Sequence, residues 1–466
     1  MMKPGVYIEK GLSDWQILQH REGRASATIQ GVYVESDDFG KPQTVLSRVV
    51  REESYETTIH WTACEMLPDK KWKATLSLPK GGLYRIETCL KPVGIGIEYS
   101  LRGDMIHHVG VGELFAITGQ SNSAGYGKDP VFDPPEVGVH ILKNSGKWDL
   151  ATHPLNDSTG SIHPVNIETI NPGHSPYLSF AKYLKRELNC PVGLVQASLG
   201  GSSLSQWNPS ESGELYRNLL EVIDNAGGDL RAILWYQGCS DTSAGLCDTY
   251  LERFTDFLAG LRQALNSLDL PLFTVQLNRF VADQEIWGMK DEYWAKIREA
   301  QRIAAKIIPG VFVVPAIDIP LSDNIHNSSY GNMILGERLA KQVLKHVFSR
   351  DLITDAPDIE RATTADGLLV RVEFTNVTER LYAFDLLPGD LPLHIKDCNG
   401  RIEIKRYDIS GNTIELALAR RLDGRAWISN QYHTNPPVYS IIDVISHLPA
   451  FSFYDFEIEW LSEESK

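Results

Sequence analysis

Acyl transfer at neutral pH needs a hydroxyl or thiol, a base to take its proton and a third group to hold that base in one tautomer. This chain places candidates for all three at the ends of elements. Ser121 lies in Gly119-Gln120-Ser121-Asn122, directly after the apolar run Leu114-Phe115-Ala116-Ile117-Thr118. A strand that ends in such a turn holds a hydroxyl at the carboxyl edge of a sheet, where open α/β folds put their ligands. Asp323-Asn324-Ile325-His326 supplies an acid and an imidazole three residues apart, ahead of a helix-like segment. The expected roles are Ser121 as nucleophile, His326 as base and Asp323 as the acid that orients it.

An oxyanion also needs hydrogen-bond donors, each typically worth about 10²–10³ in turnover. Two runs suit that need. Gln196-Ala197-Ser198-Leu199-Gly200-Gly201-Ser202-Ser203 follows the strand-like Val192-Gly193-Leu194-Val195, and its paired glycines let backbone N–H groups approach a ligand closely. Trp235-Tyr236-Gln237-Gly238 ends another strand-like run, and Gln237 carries an amide that can point at an oxyanion. Gln120 and Asn122, which flank the nucleophile, are expected to touch substrate. Trp207 is expected either to stack on a sugar ring or to pack in the core.

Gly-Gln-Ser-Asn, a Gly-Gly-Ser turn, Trp-Tyr-Gln-Gly and a closing Asp-x-x-His occur in that order. The chain therefore resembles the SGNH hydrolases, in the branch of the sialate O-acetylesterases and carbohydrate esterase family 6. Three further runs are similar to that branch: Gly110-Val111-Gly112-Glu113-Leu114, Ile297-Arg298-Glu299-Ala300-Gln301 and Leu448-Pro449-Ala450-Phe451-Ser452-Phe453. The resemblance implies that Ser121 rather than Ser123 is the nucleophile, and that the Ser121 and Gly201 amides and the Gln237 side chain form the oxyanion hole. Gly200 is the alternative alignment for Gly201. It also implies removal of acetyl esters from sugars without a metal or organic cofactor, on a three-layer α/β/α catalytic domain with a parallel sheet. One position departs from the pattern. The family usually has Glu after Gln-Gly, where this chain has Cys239, and that bears on substrate identity more than on the reaction.

The elements that must position these residues follow from changes in periodicity. Up to about residue 110, short β-like runs dominate; residues 72–78 alternate with period two, and Pro79-Lys80-Gly81-Gly82 predicts a hairpin to residues 83–89. From 111 to 350, strands alternate with helices, which implies a parallel sheet. Tyr177, Phe180, Ala181, Leu184 and Leu188 keep helical spacing after Ser175-Pro176, as do Tyr250, Phe254, Phe257, Leu258, Leu261 and Leu265. From 351 to 466 the pattern returns to β, with a hairpin at Ser410-Gly411-Asn412. The expected layout is a β-sandwich-like domain over 1–110, a catalytic domain over 111–350 and a β domain over 351–466.

At 466 residues, with 42% hydrophobic and 23% charged, the chain has ordinary globular composition for two or three domains. A formal charge of −15 argues against nucleic acid or an anionic membrane as partner, and suits neutral acetylated sugars. The first ten residues contain no apolar core of a signal peptide, and no window approaches the roughly 18 apolar residues of a membrane span, so a cytoplasmic location is expected. The six cysteines form no Cys-x-x-Cys pair and are expected as free thiols. His107-His108 is expected as a solvated strand end rather than a metal site, and no His-Glu-x-x-His occurs. A different class of reading is a catalytically silent glycan-binding protein on a hydrolase scaffold; a silent scaffold tends to lose a reactive residue, and Ser121, Asp323 and His326 are all present. Sialic acid, xylan, mannan and pectin fragments all remain open as substrates, and the sequence sets no oligomeric state.

Overall fold

Leu114-Phe115-Ala116-Ile117 have no polar residue among them to turn toward water, and such a run suits a strand covered on both faces. In a computed structural model describing residues 2–170, 172–437 and 440–461, this run is the inner part of a long strand, Leu101–Gly119. Val192–Gln196 and Ala232–Tyr236 pair with it on either side, both parallel. Val139–Leu142 extends the sheet beyond the first, and Leu272–Val275 then Val311–Val314 extend it beyond the second, all parallel. Trp148–Leu150 closes one edge in the antiparallel sense.

The same long strand runs through residue 110. Its first half pairs antiparallel with Gly81–Pro92, so the amino-terminal β region and the parallel sheet share one continuous backbone ladder. The hairpin predicted at residues 79–82 does not form. Lys71–Pro79 pairs with Arg24–Val34 in a separate four-stranded sheet, whereas Gly81–Pro92 pairs with Gln43–Arg51 and Leu101–Gly119. Gly81 and Gly82 have φ of +120° and +107°, a pair of conformations that carries the chain around a corner from one sheet to the next.

Helix Tyr177–Leu188 buries Tyr177, Leu178, Phe180, Ala181 and Leu184, matching the predicted face, although Ser175 makes no capping bond. It packs on Ser329–His346, and a Cβ at Gly336 would stand 2.2 Å from the Pro176 carbonyl oxygen. Helix Leu246–Ala264 buries Tyr250, Phe254, Phe257, Leu258 and Leu261 and packs on Asp291–Ile307.

The carboxyl-terminal β region has its own apolar cluster, built from Ile359, Val370, Val372, Phe374, Ile395, Leu416, Ile428 and Phe453 among others. Ile404–Ser410 and Thr413–Leu418 form the hairpin predicted there. This region is tied to the parallel sheet by polar contacts. Arg298, fully buried on helix Asp291–Ile307, donates to the carbonyl oxygens of Leu277 (2.9 Å), Asn278 (2.5 Å), Gln431 (3.0 Å) and His433 (2.7 Å). Burial pulls its guanidinium down to about 9, because carbonyl dipoles only partly replace water around the cation. Gln276 exchanges two hydrogen bonds with the Ser452 backbone, at 2.8 and 3.0 Å. All six cysteines are free thiols, and His108 meets Glu52 at 2.7 Å. Among the described residues no helix is long and apolar enough to cross a membrane.

Candidate active site

Gly119 ends the long strand with φ of +121°, and a Cβ there would stand 2.3 Å from the Tyr236 carbonyl oxygen. Only glycine lets the chain turn so close to its neighbour strand. The short helix Ser121–Ala124 follows at once, with Ser121 only 9% exposed. Beyond Val311–Val314 the chain returns over the sheet edge and brings His326 to it. His326 Nε2 lies 2.9 Å from Ser121 Oγ, and His326 Nδ1 lies 2.7 Å from Asp323 Oδ2. The other Asp323 oxygen accepts from the backbone N–H groups of Ile325 (2.9 Å) and His326 (2.8 Å). Burial acts to raise the Asp323 pKa, but the His326 hydrogen bond and those two amides outweigh it, so the carboxyl is held below its usual range. An ionised Asp323 fixes the tautomer with Nδ1–H toward itself and leaves Nε2 free to accept the Ser121 proton.

The two residues expected to touch substrate beside Ser121 also make hydrogen bonds that hold the turns around it. Asn122 donates to the Ile325 carbonyl (3.1 Å) and accepts from the Asn327 N–H (2.9 Å), so it pins the histidine turn. Asn278 donates to the same Ile325 carbonyl at 3.1 Å. Gln120 accepts from the Gly238 N–H (2.9 Å) and the Ser240 N–H (3.3 Å), which binds the nucleophile turn to the next strand exit. Ser123 is buried against Thr118, Tyr177 and Ser198, out of reach of the imidazole's nucleophile position. The Tyr126 ring stacks on His326 with centroids 4.7 Å apart.

Among the described residues, no acceptor takes the backbone N–H of Ser121 or of Gly201. Gly201 has φ of +70°, and its carbonyl accepts from Ser240 Oγ at 3.1 Å. Gly200, the alternative, has its N–H engaged by Glu168 at 3.0 Å. A Cβ at Gly200 would stand 2.6 Å from a Glu168 oxygen and 2.8 Å from the Tyr126 hydroxyl.

Gln237 departs from its expected role. Its amide nitrogen donates to Asp241 Oδ2 (2.7 Å) and to the Ser202 carbonyl (3.2 Å), and its oxygen accepts from the Tyr250 hydroxyl (3.0 Å). Both amide hydrogens are therefore taken inside the protein. The cause is Asp241, fully buried, which also draws the Leu204 N–H (2.9 Å) and Arg253 (3.0 Å) and needs every donor it has. Of the two roles expected for Trp207, the structure shows core packing and not an open sugar-stacking face. The indole is fully buried, donates to Ser202 Oγ at 3.0 Å and meets Trp235 edge-on at 5.4 Å, so neither face is open to a sugar. Cys239 is buried near Arg298, and burial pushes its thiol up to about 12.

Sequence reasoning missed a second cluster. Asp133, His153 and His174 bring their ligand atoms within 4.8 Å of one another. Both imidazoles meet Asp133 Oδ2, at 3.1 and 3.0 Å, and the Lys182 ammonium takes the other oxygen. That ammonium already balances the carboxylate, so the charge of a divalent ion would be in excess there. Its three residues lie in irregular segments without motif spacing, and only the fold unites them.

A family model described as carbohydrate esterase, sialic acid-specific acetylesterase, matches residues 111–345. A probable carbohydrate esterase of Arabidopsis thaliana is 30% identical over 258 residues, which span 50% of this chain and 91% of that protein. The crystal structure of a carbohydrate acetylesterase from Xanthomonas citri has the same fold, with a TM-score of 0.66 at 19% identity over 96% of this chain and 99% of that one.

Proposed function

We propose, from the premise that this chain belongs to the carbohydrate esterase, sialic acid-specific acetylesterase family, that it removes acetyl esters from sugars by a serine mechanism. Ser121 Oγ attacks the acetyl carbonyl carbon while His326 Nε2 takes its proton, and Asp323 stays ionised beside the imidazolium. The Ser121 and Gly201 amides hold the oxyanion. Collapse breaks the bond to the sugar oxygen, which receives the proton from His326 and leaves as the free alcohol. A water molecule, deprotonated by His326, then attacks the acetyl-Ser121 ester; the bond to Ser121 Oγ breaks, Oγ takes the proton back from His326, and acetate leaves.

The observation that carries this reading is the linked pair of contacts, 2.9 Å from Ser121 to His326 and 2.7 Å from His326 to Asp323. The net charge of −15 supports neutral acetylated sugars over nucleic acid or anionic membrane as partners. The same reading assigns residues 111–350 to a three-layer α/β/α catalytic domain, with β domains over 1–110 and 351–466. The test is acetate release from acetylated sugars and from 4-nitrophenyl acetate by the wild type and by Ser121→Ala. Release by the wild type alone is the expected result, and equal rates in both would remove the serine mechanism.

A further inference from the structure

With Trp207 buried, the aromatic surface a sugar would need has to come from elsewhere. Trp287 ends the short helix Gln284–Trp287 and is 61% exposed, next to Ile286 at 79%. The ring is anchored. It meets Phe280 edge-on at 6.3 Å, and Phe280 is itself buried and stacked on Trp294 at 5.6 Å. Asp283 caps the helix by accepting from the Glu285 (2.9 Å) and Ile286 (3.3 Å) N–H groups.

Its segment leaves the carboxyl end of strand Leu272–Val275, the same edge of the sheet as Ser121, and touches the candidate site on two sides. On one side the Val281 N–H donates to the Asn324 carbonyl at 2.8 Å, next to Asp323. On the other, Met289 Sδ lies 3.5 Å from Thr242 Oγ1, in the turn whose Ser240 holds the Gly201 carbonyl. A solvent-facing indole thus sits on a segment that is held at Val281 to the histidine turn and at Met289 to the turn that carries Ser240.

We propose that Trp287 is the stacking platform for a neutral pyranose ring joined to the acetylated residue, so that the enzyme prefers acetylated oligosaccharides to acetylated monosaccharides. The inference rests on the esterase reading above. The C–H face of a pyranose is apolar and slightly positive, and complements the negative face of an indole. The charges nearby select against an acidic sugar at this position: Asp283 and Glu285 share the helix, and Asp323 lies beyond Asn324. Of the two cations in the same segment, Arg279 donates to the Ile319 carbonyl at 3.5 Å and the Lys290 ammonium lies over the Tyr293 ring at 5.3 Å.

The test compares wild type, Trp287→Ala and Trp287→Phe on 4-nitrophenyl acetate, acetylated xylose, and acetylated xylo-, manno- and cellotetraose. For at least one tetraose, Trp287→Ala raises KM about tenfold, equivalent to about 1.4 kcal/mol, with 4-nitrophenyl acetate and acetylated xylose unchanged within twofold. Trp287→Phe recovers most of the loss. Binding of the same tetraoses to Ser121→Ala, followed by calorimetry with and without Trp287→Ala, gives a readout that needs no turnover. Equal binding to both proteins, or a parallel loss on all substrates, overturns the platform. Failure of the esterase reading is seen separately, as equal hydrolysis by the wild type and Ser121→Ala.

Discussion

Asp323 with His326, and Asp133 with His153 and His174, use the same side-chain types at similar distances: 2.7 Å in the first, 3.1 and 3.0 Å in the second. The difference lies in the far nitrogen of each ring. His326 turns its second nitrogen to Ser121 Oγ, and its Asp323 side chain is half exposed. His153 and His174 keep Nδ1 buried without a partner among the described residues, and Asp133 is 1% exposed with an ammonium on its other oxygen. Burial acts to raise the Asp133 pKa, but the two imidazoles and Lys182 outweigh it and hold the carboxyl far below its usual range. An acid and an imidazole become machinery for proton transfer only where the ring also faces a group with a proton to give. Where a fixed cation balances the acid, the same pair is a strut, here joining helix Tyr177–Leu188 to the loops ahead of it.

That contrast is broken or sharpened most strongly at Ser121. Ser121→Ala is expected to lower kcat on 4-nitrophenyl acetate by about 10⁴-fold or more, and Asp323→Asn by about 10³–10⁴-fold, while Asp133→Asn leaves kcat of the folded protein within a few-fold. A comparable loss in Asp133→Asn, with the fold intact, would erase the distinction between the two assemblies. The next effect is on stability. Asp133→Ala strands the Lys182 ammonium and is expected to cost about 3–5 kcal/mol, read from the midpoint and slope of urea unfolding. Ser121→Ala should be nearly neutral by that measure.

Acid provides a third separation. Burial pulls His140 down to about 4 and His394 to about 3, so the folded protein keeps both neutral where the unfolded chain protonates them. Each therefore adds stability that is present above about pH 6.5 and falls as pH drops from there toward the folded value, by up to about 1.4 kcal/mol per pH unit. The depressed Asp133 adds stability that is present above about pH 4 and is lost below it. Urea midpoints at pH 7, 5.5 and 4.5 should fall in that order, and His140→Gln should flatten the first part of the decline. The smallest effect is expected at Trp207. Trp207→Phe should leave KM for acetylated tetraoses within twofold, because the ring lies inside the core; a tenfold rise would return it to the sugar site.

Ser121 was legible because an apolar run gives way there to small and polar residues, and Asp323 and His326 because an acid and an imidazole three residues apart precede a helix-like segment. The reading could not tell where a side-chain amide spends its hydrogens. Gln237 has the chemistry of an oxyanion donor, but Asp241 and Tyr250 claim it, and neither contact has a periodic signature. Residues 72–78 and 83–89 look like hairpin partners because they are adjacent and β-like, whereas the positive φ at two successive glycines sends them to different sheets. Trp207 and Trp287 illustrate the same limit. Which indole is covered depends on Trp235 and Phe257 reaching one and, among the rings of the described residues, Phe280 alone reaching the other. The signal that was available for the second was Asp283 and Gly288, a cap and a stop on either side of one helical turn.

Arg298 has a practical consequence for dissecting the molecule. The family match ends at residue 345, yet two of the carbonyl oxygens that receive this guanidinium belong to Gln431 and His433, and Gln276 depends on Ser452. A fragment cut to the matched segment would carry this cation with three of its five carbonyl acceptors, those of Gln431, His433 and Thr434, removed. The distal β region thus supplies hydrogen-bond partners to the matched segment, and a fragment without it is expected to be less stable than the full chain.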